Sequence, residues 1–179
     1  MKWLSASIGL CAVTVQAWAG DQVPAQSAVA GSLDISFEET QFSVSLAVPS
    51  EDILGFDHRA ADDADRSAIA DAISSLSKPL TLFVVPEQAG CATASANVSL
   101  TGEGLGSDAD AVGAPEFLAE YVIQCSDMAA LDMIEFAYFE RFDQVSALDI
   151  TASSQGVTRR VHVTSQSPVL DVSALQGAD

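Results

Sequence analysis

Residues 33–58, LDISFEETQFSVSLAVPSEDILGFDH, decide the fold of this chain. Apolar residues alternate with polar ones from Leu33 to Phe37, and after a polar break the alternation resumes from Phe42 to Val48. A strand with one buried face requires this period of two, because successive side chains point to opposite faces of a sheet. Two such runs across a short polar gap predict an antiparallel hairpin.

The clearest helix of the sequence follows this hairpin. A short connector, ILGFDH at residues 53–58, leads directly into the helix, which we predict over residues 61–77. Carboxylates crowd its start, where they favour the positive end of the helix dipole. Ile69, Ile73 and Leu76 recur at helical spacing and predict a single core-facing stripe.

Further strands are predicted on the C-terminal side of this helix. They are a short apolar run at 80–85, which is either a buried strand or an extended connector, strands at 91–100 and 116–125, a central strand running into a turn at 133–142, a second hairpin at 147–151 and 157–163 with its loop at 153–156, and an edge segment at 168–170. Several antiparallel hairpins with one main helix packed on a face predict an α+β fold built as a two-layer sandwich.

The first twenty residues carry the pattern of a secretory signal peptide. Lys2 provides a short positive region, an apolar run follows, and Ala17-Trp18-Ala19 is typical of a cleavage site. We therefore expect an exported, periplasmic protein with no membrane insertion after signal cleavage. The expected organisation is a signal peptide at 1–20, a flexible leader at 21–31, a single α+β domain at 32–173 and a tail at 174–179.

The charge of the chain is strongly acidic. The formal net charge is −18, and removing Lys2 with the signal peptide leaves six basic against 25 acidic residues, a net charge of −19. Such a surface repels nucleic-acid phosphates and anionic lipid headgroups. Nucleic acid is therefore excluded as an expected partner, and the charge is interpreted chiefly as a solubilising surface.

Two cysteines, Cys91 and Cys125, remain once Cys11 leaves with the signal peptide. An even pair in an oxidising compartment predicts one disulfide, and both residues lie on predicted strands that could face each other. A zinc knuckle would need four ligands and a CxxC spacing, which this chain does not contain. A structural bridge is the preferred interpretation.

The order of motifs resembles the ZrgA family of periplasmic zinc-uptake proteins over residues 33–172. The motifs are GFDH at 55–58, AGC at 89–91, YVIQC at 121–125 and SPVLDV at 167–172. The resemblance implies a ferredoxin-like α/β sandwich, a bridged cysteine pair and a role beside zinc transport, with a component of a zinc transport system as a possible partner.

The resemblance also indicates where zinc would bind. Similar family members carry an H-x-H-G pattern before the first strand and a His/Asp-rich loop between the cysteine strands, whereas this chain has no ligands near Gln26 and Ala28, and its loop is TGEGLGSDADAVGAP. His58 remains at a family position, with Asp57 beside it. Zinc sites normally use three or four ligands, so we expect the zinc site to be reduced or lost.

Several residues and motifs have alternative interpretations. His58 could instead be a partly buried residue that fixes the connector by hydrogen bonds, and His162 is expected to be a solvated surface residue. The glycines at 102–106 lack the Lys-Ser/Thr of a phosphate loop, and the acids at 108–110 do not continue into an EF-hand. No catalytic motif is present, so the chain is not expected to be an enzyme. The alternative function is an exported, non-metal protein-interaction module.

Overall fold

The computed structural model describes residues 31–102 and 114–176. The predicted signal peptide, nearly all of the predicted leader, the loop residues 103–113 and the end of the predicted tail lie outside these residues. The strands are β1 (Ser32–Phe37), β2 (Gln41–Pro49), β3 (Phe83–Val84), β4 (Cys91–Leu100), β5 (Glu116–Cys125), β6 (Met133–Phe136), β7 (Ala147–Ser154), β8 (Val157–Thr164) and β9 (Val169–Asp171). The α-helices are α1 (Ser50–Leu54), α2 (Asp63–Leu76), α3 (Pro79–Leu82), α4 (Tyr138–Arg141) and α5 (Ser173–Gln176).

Six strands form the main sheet in the order β4-β5-β2-β1-β7-β8. The predicted hairpins β1–β2 and β7–β8 are confirmed, and every neighbouring pair is antiparallel except β1 and β7, which are parallel. The α+β class is therefore confirmed. The ferredoxin-like arrangement is not confirmed, because the sheet has six strands and β1 pairs in parallel with β7 on one side of the antiparallel β1–β2 hairpin.

A second, antiparallel sheet has the order β3-β6-β9, with the predicted central strand β6 in its middle. An aromatic cluster joins it to the main sheet. The Phe83 ring lies 6.1 Å from that of Tyr121 on β5, 5.5 Å from Phe136 on β6 and 6.2 Å from Tyr138 at the start of α4. Because all four rings are buried, this cluster forms the core between the two sheets.

The two faces of the main sheet differ as the alternation predicted. The inner face carries the buried side chains, which include Leu33, Ile35, Phe42, Val44, Leu46, Phe117, Tyr121, Ile123, Leu148 and Ile150. The outer face carries small polar and acidic side chains. A shallow depression of about 370 Å³ on this face is lined by Asp34, Ser36, Ser43, Ser45, Asn97, Glu120, Thr151 and Ser153, among others.

The main helix α2 is confirmed, but its predicted core stripe is only partly correct. Leu76 is fully buried, whereas Ile69 and Ile73 are half-buried. The physical reason is that α2 packs against β4, which is the edge strand of the sheet. The sheet therefore extends beneath only the C-terminal part of the helix stripe.

Two segments predicted without helix contain short helices. Ile53 and Leu54 belong to α1, and the run at 80–85 begins with the helical turn α3 before the two-residue strand β3. Pro79 at the first position of α3 favours that turn, since its missing N–H is not needed there. Within the part of the chain that the structure describes, no helix is both long and apolar enough to cross a membrane.

Candidate metal site

The connector between α1 and α2 is held firmly at its start. Gly55 ends α1 with a positive φ of 80°, and its N–H donates to the Glu51 carbonyl at 2.8 Å. The buried Ser50 hydroxyl donates to the Phe56 carbonyl at 3.1 Å. Since only glycine adopts a positive φ at low cost, this turn explains the glycine of the GFDH motif. Burial, and then the neighbouring Glu51, raise the pKa of the Asp52 carboxyl on the same helix.

Contacts with Phe56 and with the Arg59 carbonyl help to orient the His58 ring. It stacks on the Phe56 ring with centroids 4.8 Å apart and an interplanar angle of 20°. Its Nδ1 lies 2.9 Å from the Arg59 carbonyl oxygen. Because a carbonyl only accepts, Nδ1 carries the proton in this contact, and a neutral ring then has its lone pair on Nε2. This is the usual way in which a protein orients a metal-binding histidine.

The first turn of α2 brings a carboxylate, that of Asp65, near this ring. Asp65 Oδ2 lies 3.9 Å from His58 Nδ1 and accepts a hydrogen bond from the Ala61 N–H at 2.8 Å. Asp62 caps the same helix by accepting from the Asp65 N–H at 3.0 Å. These hydrogen bonds at the helix start hold Asp65 near the histidine, and the Asp65 side chain is 19% exposed.

The predicted partner Asp57 lies in the exposed connector next to His58. Sequence reasoning named Asp57 and missed Asp65. The signal for Asp65 was present in the run of acids at the start of α2, where a carboxylate at the fourth position commonly bonds back to the preceding chain. The assignment of His58 and Asp57 as metal ligands stays a prediction.

A cation at this ring would have few protein ligands. One imidazole and neighbouring carboxylates match the ligands that zinc accepts, but tight sites use three or four of them. Within residues 31–102 and 114–176, no group of three or more His, Cys, Asp or Glu side chains is arranged to hold a metal ion. Water molecules would have to complete the coordination of any ion bound at His58.

His162, the second histidine of the chain, pairs with a carboxylate on the outer face of the main sheet. It lies opposite Asp149 on the neighbouring strand, and its Nδ1 is 2.8 Å from Asp149 Oδ1. Sequence reasoning expected a solvated residue and missed this cross-strand pair. The ring is far from full burial, so the pair is a surface contact.

The predicted disulfide is present. Cys91 and Cys125 are bonded and lie directly opposite each other in the pairing of β4 with β5, with Cα atoms 3.9 Å apart. Gly90 precedes the bridge with a positive φ of 56°. A Cβ at this position would clash with the Ser126 hydroxyl, and together with the positive φ this clash favours glycine beside the bridge.

Comparison with known protein families identifies the family of this chain. The model of the family described as ZrgA family zinc uptake protein matches residues 26–172. The chain belongs to the ZrgA family. The ZrgA match spans the connector with His58 and both cysteine strands, and it links this protein to zinc uptake. No curated protein in the comparison matches the chain.

Proposed function

We propose that this protein is a periplasmic, non-enzymatic accessory of zinc uptake whose zinc site is reduced to His58, with Asp57 beside it in the connector. The observation that carries the proposal is the orientation of the ring, with Nδ1 directed at the Arg59 carbonyl and Asp65 within 3.9 Å. A histidine held in this way presents Nε2 as the ligand. Membership of the ZrgA family indicates zinc as the metal.

The weakness of such a site is consistent with an accessory role. His58 is 56% exposed, and Asp57 is exposed in the same connector, so water reaches the metal position directly. An exposed ion with few protein ligands exchanges quickly. A protein that passes zinc to a transport component needs fast exchange more than high affinity.

The proposed location in the periplasm rests on the N-terminal sequence and on the cysteines. The A-x-A pattern at 17–19 is typical of signal-peptide cleavage. The Cys91–Cys125 disulfide supports the same location, because disulfides persist in oxidising compartments such as the bacterial periplasm.

Histidine ring resonances test the proposal directly. The chain has two histidines, so a His162→Ala variant assigns both ring signals in a proton–carbon NMR spectrum. We expect added zinc to shift the His58 ring signals and to leave those of His162 near their starting positions. A spectrum in which neither ring responds, or in which only His162 responds, contradicts the proposal.

A second candidate function is an exported interaction module that binds no metal. The outer face of the main sheet favours it, because that face presents a depression of about 370 Å³ lined mainly by small polar side chains. Such a face can accept a partner's polar surface without burying unpaired groups. The NMR experiment separates the two functions, since this candidate predicts no zinc response from either histidine.

A further inference from the structure

A groove lies between α2 and the edge strand β4, where Ile69 and Ile73 of the predicted core stripe are only half-buried. We name it the α2–β4 groove. Its walls are Ile69, Ala70 and Ile73 from the helix, and Val98 and Leu100 from the strand. The groove encloses about 590 Å³, which falls within the range of small-molecule sites.

The aliphatic side chains of this groove are only half-buried by the protein itself. Ile69, Ile73, Val98 and Leu100 all keep part of their surface open to solvent. Since exposed aliphatic surface costs free energy in water, a row of four such side chains in one concave site favours a ligand with apolar surface.

Two cations stand at one end of the groove. Arg59 precedes α2 and Arg66 lies near its start, and both line the groove. Ile73 lies seven residues beyond Arg66, about 10 Å further along the helix axis. The two charged side chains that line the groove are therefore arginines near the N-terminus of α2, beside the helix-start carboxylates Asp62, Asp63 and Asp65, and the aliphatic surface lies beyond them.

The pairing of Arg66 within the chain leaves room for a ligand anion. Arg66 Nη2 contacts Asp63 Oδ1 at 2.6 Å, but the Asp63 side chain is almost fully exposed. An exposed ion pair of this kind is weak and exchanges readily with other partners. A guanidinium also carries five N–H donors, so it can bind a second oxygen anion at the same time.

We propose that the α2–β4 groove binds a single-chain amphiphile, with an aliphatic tail on the isoleucine, valine and leucine side chains and a carboxylate head at Arg59 and Arg66. The composition of the walls argues against other ligand classes. Among the described residues, no aromatic side chain lines the groove for stacking on a planar ring, and Ser99 is the one hydroxyl-bearing side chain that lines it for a sugar. This inference is independent of zinc binding.

Titration calorimetry with dodecanoate, kept below its micelle concentration, tests the proposal on the full purified chain. Dodecyltrimethylammonium carries the same tail with a cationic head. Because the whole chain has a net charge of −18, non-specific attraction would favour the cationic compound. We expect saturable one-to-one binding of dodecanoate and much weaker binding of the cation.

Three variants locate the site. Arg66→Gln is expected to weaken dodecanoate binding about fivefold. Ala70→Glu places a bulky anion on an exposed helix position inside the groove and is expected to abolish binding while the fold is retained. Arg160→Gln is the matched control, because Arg160 is an exposed arginine on β8 at the opposite edge of the main sheet.

Several results would overturn the proposal. These are the absence of dodecanoate binding, equal binding of the cationic amphiphile, and binding that survives Ala70→Glu in a variant with an unchanged circular dichroism spectrum. A dimer in sedimentation velocity that Ala70→Glu dissociates would assign the groove to a second copy of the chain instead.

Discussion

Two buried tyrosine hydroxyls, those of Tyr121 and Tyr138, differ in their hydrogen bonding. The Tyr121 hydroxyl donates to the Leu76 carbonyl at 2.8 Å and ties the last turn of α2 to the main sheet. That carbonyl lies at a helix end, where no backbone partner is available. The Tyr138 hydroxyl is buried without a hydrogen-bond partner among the described residues. Burial raises the pKa of both phenols, with Asp52 and Tyr121 adding to the effect at Tyr138.

Removing each hydroxyl should therefore have a different effect on stability. We expect Tyr121→Phe to lower the free energy of unfolding by about 1–2 kcal/mol, because it leaves the buried Leu76 carbonyl unpaired. Tyr138→Phe should change it by less than about 0.5 kcal/mol or raise it, since no bond is lost. Urea denaturation of the two variants measures both values, and an equal loss in the two would contradict this assignment of partners.

The second hairpin shows how a tight turn fixes an element. Gln155 and Gly156 connect β7 to β8 with φ values of 46° and 85°. Positive φ at both central residues is typical of a type I′ turn, whose twist matches that of the flanking strands. Asn is preferred over Gln at the first position, because its short side chain tolerates the left-handed region.

Replacing the residue at the strained position tests this interpretation of the turn. We expect Gln155→Asn to raise the free energy of unfolding by about 0.5 kcal/mol. Thermal denaturation by circular dichroism provides the measurement. The exposed Gln88 lies outside the turn, and Gln88→Asn serves as the control that should not gain stability. A loss of stability in Gln155→Asn would mean that the turn has another geometry.

Period-two alternation predicted the strands of the main sheet because one face of that sheet stays exposed. The small sheet was harder to predict, since β3 has two residues and β9 has three, too few to show a period. The burial of the apolar stripe on α2 was overestimated, because no local sequence pattern reveals that α2 packs against an edge strand.

The contacts of the two histidines required tertiary information. A four-residue loop at 153–156 would have paired Asp149 with Arg160, whereas the observed two-residue turn pairs Asp149 with His162. The contact of His58 with Asp65 depends on how the connector folds back on the start of α2. His58 itself could be selected from the motif, but its neighbours could not.

A disulfide bond secures the edge of the main sheet. The Cys91–Cys125 bridge closes a loop with a sequence separation of 34 and joins β4 to β5 at one end. Further along, β4 carries an irregularity between Thr93 and Ser95, which weakens its pairing with β5. The bridge therefore holds a strand that, within the described parts of the chain, pairs with a neighbour on only one side.

Reduction of the bridge should destabilise the molecule substantially. On the chain-entropy model, a loop of this length contributes about 3–4 kcal/mol to the free energy of unfolding. Urea denaturation with and without dithiothreitol measures the difference, and a Cys91→Ala/Cys125→Ala variant should match the reduced protein. Thiol titration of the denatured, unreduced protein without its signal peptide should find no free thiol, and two free thiols would refute the bridge.

Zinc titration by calorimetry tests the proposed zinc site at His58, using the wild-type protein, His58→Ala and the matched control His162→Ala. We expect weak, saturable zinc binding that His58→Ala abolishes and that His162→Ala retains. Zinc binding that survives the loss of His58, or no zinc binding by the wild-type protein, would contradict the proposal that this ZrgA family member keeps a reduced zinc site at His58.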